Sequence, residues 1–203
     1  MKWRDKYKGC TALILSSGTS LTLFKPEMTE GRVVIVCNDA VKKIKRYDFF
    51  FYTDHSIPYH DYFKRIPRKK LIFANGDNHL KGDNYPTVNM AKIKMEGDEL
   101  IGGYDCVHRA VHFAKILGAE CIELLGVDLC WKDGKKYYWE IEKQYERVVT
   151  GIHIENYNED ADGALGSSYN GWEMILQHNN LNLKCLSPYS KLNDIISSHP
   201  YRP

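Results

Sequence analysis

The chain has 203 residues with 28 Lys and Arg against 26 Asp and Glu, a formal net charge of +2, and 43% hydrophobic residues. That length suits one domain with a substantial core, and the near balance of charge supplies no field of the kind that draws nucleic acid or a membrane surface. Six cysteines at 10, 37, 106, 121, 130 and 185 form no CxxC pair, which argues against a disulfide framework and for a reduced, cytoplasmic setting.

Met1–Lys8 is charged and aromatic and does not read as a signal peptide. Thr11–Ser16 (TALILS) and Val33–Cys37 (VVIVC) read as buried strands, joined by a turn. A short basic helix near Asp39–Arg46, strand Phe49–Tyr52, a helix over Pro58–Arg65 and strand Leu71–Ala74 follow. The basic stretches Lys42–Arg46 and Lys64–Lys70 read as solvated faces, and Asn75–Asn84 as a polar loop. Asp105–Leu117 is the clearest helix, with Val107, Ala110, Val111, Ala114 and Leu117 at helical spacing and Gly118 as its stop. It leads into strand Cys121–Leu125.

Residues 132–166 change character, with aromatics among charges followed by the acidic Glu155–Gly166. This reads as an insertion or lid, helical near Trp139–Val149, whose aromatics either stack on a sugar or anchor it to the core. A helix near Ser168–His178, capped by Ser167 or Ser168, and a strand Leu183–Leu186 complete the pattern, with a surface tail after Pro188. No apolar stretch approaches the roughly 20 residues of a membrane span.

Short unalternating apolar runs between helices predict an α/β, Rossmann-like three-layer sandwich with a mostly parallel sheet, a single domain over 1–203 with the insertion at 132–166. Ligands of such sheets bind beyond the carboxyl ends of the strands. Those ends carry Ser16, Ser17, Gly18, Asn38, Asp39, Thr53, Asp54, Asn75, Gly126, Asp128 and Ser187.

Leu13–Leu21 (LILSSGTSL) resembles the "I-I-x-G-x-G-P-S-L" opening of two related Rossmann-like groups. These are the bacterial lipooligosaccharide sialyltransferases and the 6-hydroxymethylpterin diphosphokinase-like proteins, which include motility-associated glycosylation proteins. Val36-Cys37-Asn38 is similar to the "R-C-N" of the sialyltransferases, and Phe51-Tyr52-Thr53 to their "F-Y-N". Ala114–Asp128 (AKILGAECIELLGVD) matches "A-x-x-L-G-x-x-x-I-x-L-x-G-x-D", and Cys185–Pro188 (CLSP) a late "C-L-x-P". The resemblance implies nucleotide binding by Ser17, Gly18, Ser20, Asn38, Thr53 and Cys106, and the strand-tip positions add Thr19, Asp54 and Gly126. Ser17 and Thr53 stand where the family has asparagines, and Cys106-Val107 where it has a Ser-Gly pair. It also implies a catalytic base in the segment holding His153, and an imidazole suits deprotonation of an acceptor hydroxyl.

Asp128 could bind a sugar or ribose hydroxyl or a metal, or act as a cap. His108 and His112 at i, i+4, with Cys106 nearby, lack a fourth ligand and read as solvent-exposed, and the cluster Glu155, Glu159, Asp160 and Asp162 as a solvated loop, so no metal site is expected. The reading that follows is a nucleotide-dependent transferase of glycosyltransferase type. It needs no cofactor and takes a nucleotide-sugar and a small-molecule or glycan acceptor, with His153 and Asp128 as catalytic residues. The alternatives are Mg²⁺-dependent diphosphate transfer to a pterin-like alcohol and a non-catalytic nucleotide binder. The tyrosine-rich insertion is equally a candidate subunit contact in a homo-oligomer.

Overall fold

A computed structural model describes residues 3–53, 57–73, 88–89, 91–102, 105–145 and 161–203. The elements in chain order are β1 (Thr11–Leu15), β2 (Arg32–Cys37), β3 (Phe49–Tyr52), β4 (Leu71–Phe73), β5 (Val88–Asn89), β6 (Leu100–Ile101), α1 (Cys106–Ile116), β7 (Cys121–Leu125), α2 (Ala161–His178), β8 (Leu183–Cys185) and α3 (Leu192–Ser198). Six strands form one sheet in the order β4-β3-β2-β1-β7-β8, every pair parallel. The fold is α/β and Rossmann-like. β5 and β6 make a separate parallel pair.

The apolar runs do not alternate because both faces of the sheet are covered. Ala12, Ile14, Ile35, Phe51 and Leu124 face the cluster built with α1, α2 and α3. Leu13, Leu15, Val34, Val36 and Leu125 face a second cluster, closed by Leu21, Ala40, Ile44, Tyr138 and Trp139. Short 3₁₀ segments dominate that second face. Asn38–Lys42 is 3₁₀ where a basic helix over 39–46 was expected, and Ile57–Tyr59 and Asp61–Arg65 are two 3₁₀ turns instead of one helix. Their basic residues are partly engaged: Lys42 pairs with Asp39 at 3.4 Å, Lys43 with Glu142, and Lys70 donates to the Tyr47 carbonyl.

Three further expectations are corrected. Ser168 lies inside α2 and does not cap it, because the helix begins at Ala161. The tail after Pro188 holds α3, with Leu192 and Ile195 in the core. His108 and His112 are buried, because α1 is covered on several sides and has no wide polar face. His112 Nδ1 accepts the Ile101 N–H at 3.0 Å, and His108 packs edge-on against Trp172 with ring centroids 4.6 Å apart.

Burial, with Lys92, Lys115 and Arg4 adding to it against Asp98, pushes the His112 imidazole down to about 3; burial also lowers His108. The unfolded chain therefore takes up protons near its ordinary histidine pKa of about 6.5 that the folded chain refuses. Stability is full above that pH and falls as pH drops through it towards 3. His112 alone accounts for a loss of about 2 kcal/mol by pH 5. Urea midpoints at pH 7 and pH 5 check this: the decline should be smaller in His112→Gln than in the parent.

Candidate functional site

The strand order reverses at β1, whose two neighbours, β2 and β7, lead the chain to opposite sides of the sheet. Crevices beyond the carboxyl ends of strands at such a point are where open α/β sheets bind ligands. Here the two strand tips stay zipped past the strands: Ser16 N–H donates to Leu125 O at 2.9 Å and Gly18 N–H to Gly126 O at 2.8 Å. The close approach explains both glycines. A Cβ at Gly18 would lie 2.7 Å from both Asp128 Oδ2 and Gly126 O, and one at Gly126 would overlap the Ser16 carbonyl.

Asp128 ties the crossing. Its Oδ2 accepts from Thr19 Oγ1 at 3.0 Å and from the Ser20 N–H at 2.8 Å, while Ser20 Oγ accepts the Gly126 N–H at 2.9 Å. Thr19 and Ser20, expected on the nucleotide, are fully buried and hold the loops together. The amides of Gly18 and Ser20 are thereby committed to protein acceptors.

Beside this knot lies a cavity of about 240 Å³. Of the sequence-predicted residues, Ser17, Gly18, Asn38, Cys106, Gly126 and Asp128 line it. Thr53 is not among the lining residues, and Asp54 and His153 fall outside the described residues. Asn38 projects from the β2 tip with a left-handed φ of 49°. Cys106 opens α1, and its thiol lies 3.6 Å from the Phe51 carbonyl. The neighbouring Cys37 thiol is pushed up by its hydrogen bond with Cys106 and by burial.

Sequence reasoning missed Asp105, Lys136 and Ser168 in the lining; Tyr137 and Trp139, expected either to stack on a sugar or to anchor the insertion, are there too. Asp105 caps α1, accepting the Val107 N–H at 2.8 Å and the His108 N–H at 3.0 Å, and Ser168 Oγ donates to its other oxygen. An Asp immediately before a periodic helix is a legible cap, so its place at the cavity follows once α1 is seen to start there. The 137–139 segment is pinned to the glycine loop: Tyr138 N–H donates to Ser17 O at 3.1 Å and Tyr138 Oη to Asp39 O at 3.0 Å. Tyr137 and Trp139 stack at 4.3 Å and form a wall. These aromatics anchor the start of the insertion to the core; 146–160 lies outside the described residues.

Three of the lining residues carry a side-chain oxygen, Ser17 Oγ, Asn38 Oδ1 and Asp128 Oδ1, that is buried without a hydrogen-bond partner among the described residues. Buried polar atoms in native proteins are overwhelmingly paired, so three beside one cavity are suited to ligand hydroxyls, amines or amides. Lys136 is the only lysine or arginine among the described lining residues, and burial lowers its pKa while Glu140 opposes that shift. No three His, Cys, Asp or Glu side chains among the described residues converge as a metal-ion ligand set, and no helix there is long and apolar enough to cross a membrane. Comparison with protein-family models, curated proteins and solved structures found no match.

Proposed function

We propose that the chain is a nucleotide-dependent transferase of glycosyltransferase type, sialyltransferase-like in the layout of its strand tips. The observation that carries this reading is the set of three unpartnered oxygens, on Ser17, Asn38 and Asp128, in the wall of one cavity at the reversal of strand order. They stand on three different strand tips, so a single ligand spanning them must present several polar groups. A nucleoside with its ribose does this. Lys136 supplies the positive charge for a phosphate, and the Tyr137–Trp139 wall a flat apolar side for a base or sugar ring.

In the transfer itself the acceptor oxygen bonds to the anomeric carbon as that carbon's bond to the phosphate oxygen breaks. The bonding pair leaves with the nucleotide. The hydroxyl proton goes to a base, for which the sequence nominates His153. A loosely bound nucleotide gains affinity from each of the three oxygens, so Ser17→Ala and Asn38→Ala should each weaken binding several-fold while leaving the fold intact.

A thermal-unfolding panel of CMP, UMP, GMP, ADP, ATP and their common sugar conjugates, with and without Mg²⁺, tests the reading. A ligand at a hundred times its Kd stabilises the native state by about 2.7 kcal/mol. For a chain of this length that is a midpoint rise of roughly 5–10 °C. A rise with a nucleotide or nucleotide-sugar that is smaller in the Asn38→Ala variant is the expected result. No rise with any of them sinks it, and a rise with ATP only in Mg²⁺ replaces it with diphosphate transfer.

A further inference from the structure

We infer that the group carried on the nucleotide is a neutral or amino-bearing sugar, not an acidic one such as the sialic acid that the resemblance implies; this rests on the transferase reading above, not on a sialic acid donor. The cavity wall holds three carboxylates, Asp39, Asp105 and Asp128, against the single ammonium of Lys136 among its described residues. Asp39 is largely spent: it pairs with Lys42 and accepts from Tyr62 Oη at 3.0 Å. Asp105 and Asp128 are differently placed.

The Asp105 side chain is 32% exposed against 5% for Asp39, and it stands at the start of α1 in the cavity lining. Its bonds to two helix amides and to Ser168 fix its position, and a carboxylate in that setting keeps accepting capacity for a further donor. Asp128 is 4% exposed, and its Oδ1 is buried without a partner among the described residues. Both oxygens therefore ask for a hydroxyl or an ammonium. A ligand carboxylate offers neither and adds a like charge beside them.

The phosphate of any nucleotide already claims Lys136. Among the described lining residues no second lysine or arginine remains to receive another anion. A sugar ring within reach of a bound phosphate in so small a cavity stays close to Asp105 or Asp128. Discrimination against an acidic sugar is thus built into the wall, and sugar hydroxyls turn the same carboxylates into acceptors.

The experiment is titration calorimetry with matched conjugates. UDP-glucose, UDP-glucosamine and UDP-glucuronate differ at the sugar alone, and CMP with CMP-N-acetylneuraminate covers a cytidine-specific site. The expected result is at least tenfold tighter binding of the glucose or glucosamine conjugate than of the glucuronate, or sialate binding weaker than CMP itself. Asp105→Asn keeps a helix-capping side chain and removes the charge, so it should narrow the gap several-fold. An acidic conjugate that binds as tightly as its neutral counterpart, or tighter than the bare nucleotide, overturns the inference while leaving the transferase reading in place. Absence of binding by every nucleotide and conjugate removes that reading and this inference together.

Discussion

Gly126→Ala should lose about 2–5 kcal/mol of stability, a large share of the roughly 5–15 kcal/mol that holds a folded domain together. Two causes add. Gly126 has φ +78°, where an L side chain costs about 1–2 kcal/mol. The methyl would also overlap the Ser16 carbonyl and stand 2.6 Å from its carbon, both backbone atoms of the adjoining tip. Relief requires the β1 and β7 tips to separate, which breaks the Gly18–Gly126 bond and costs another 1–3 kcal/mol or so as overpacking. Gly31→Ala isolates the first cause: its φ is +67° but a Cβ there meets nothing within 4 Å. Urea midpoints of the two variants against the parent decide the matter. Equal losses would mean that the crowding at the crossing is absorbed without cost.

Asp128 carries the second large effect, and two substitutions divide its roles. Asp128→Ala leaves the buried Ser20 N–H and Thr19 hydroxyl without their acceptor, and each orphaned donor costs about 1–3 kcal/mol. A loss of about 2–6 kcal/mol follows, with loss of ligand binding because the tips are no longer held. Asp128→Asn keeps one oxygen for Thr19 and Ser20, so the fold should survive with a loss of about 1 kcal/mol. Its amide then stands where Oδ1 was, presenting a donor in place of an acceptor. Affinity for a hydroxyl-bearing ligand should fall at least tenfold in calorimetry while the unfolding midpoint stays near that of the parent. If the Asn variant binds as the parent does, Asp128 serves only to tie the loops.

The sheet was legible because its strands are short unbroken runs, and LILSS, VVIVC, FFFY and CIELL can be satisfied only by burial on both faces. The strand tips followed from that, and six of the predicted residues meet at one cavity. What escaped lacks a period. Tyr138 and Trp139 sit among charges in a single 3₁₀ turn, where nothing in the spacing separates aromatics that stack on a ligand from aromatics that join the core cluster of Leu15 and Val36. The start of α2 was hidden by ADGALGSS, whose glycines and serines argue for a loop although the helix runs through them. His108 and His112 were read as a polar face because α1 was imagined with one side in water; with Trp172 and Ile101 against it, no such side exists at those positions.

The knot at the head of β1 and β7 also bears on the entropy of binding. Ser20, Gly126 and Asp128 are bonded to one another beneath the cavity and continuous with the sheet, so this floor carries its order before any ligand arrives. A ligand seated there forfeits little rotamer freedom from below. The cost of immobilisation falls instead on the ligand itself and on whatever of the cavity's sides it must order.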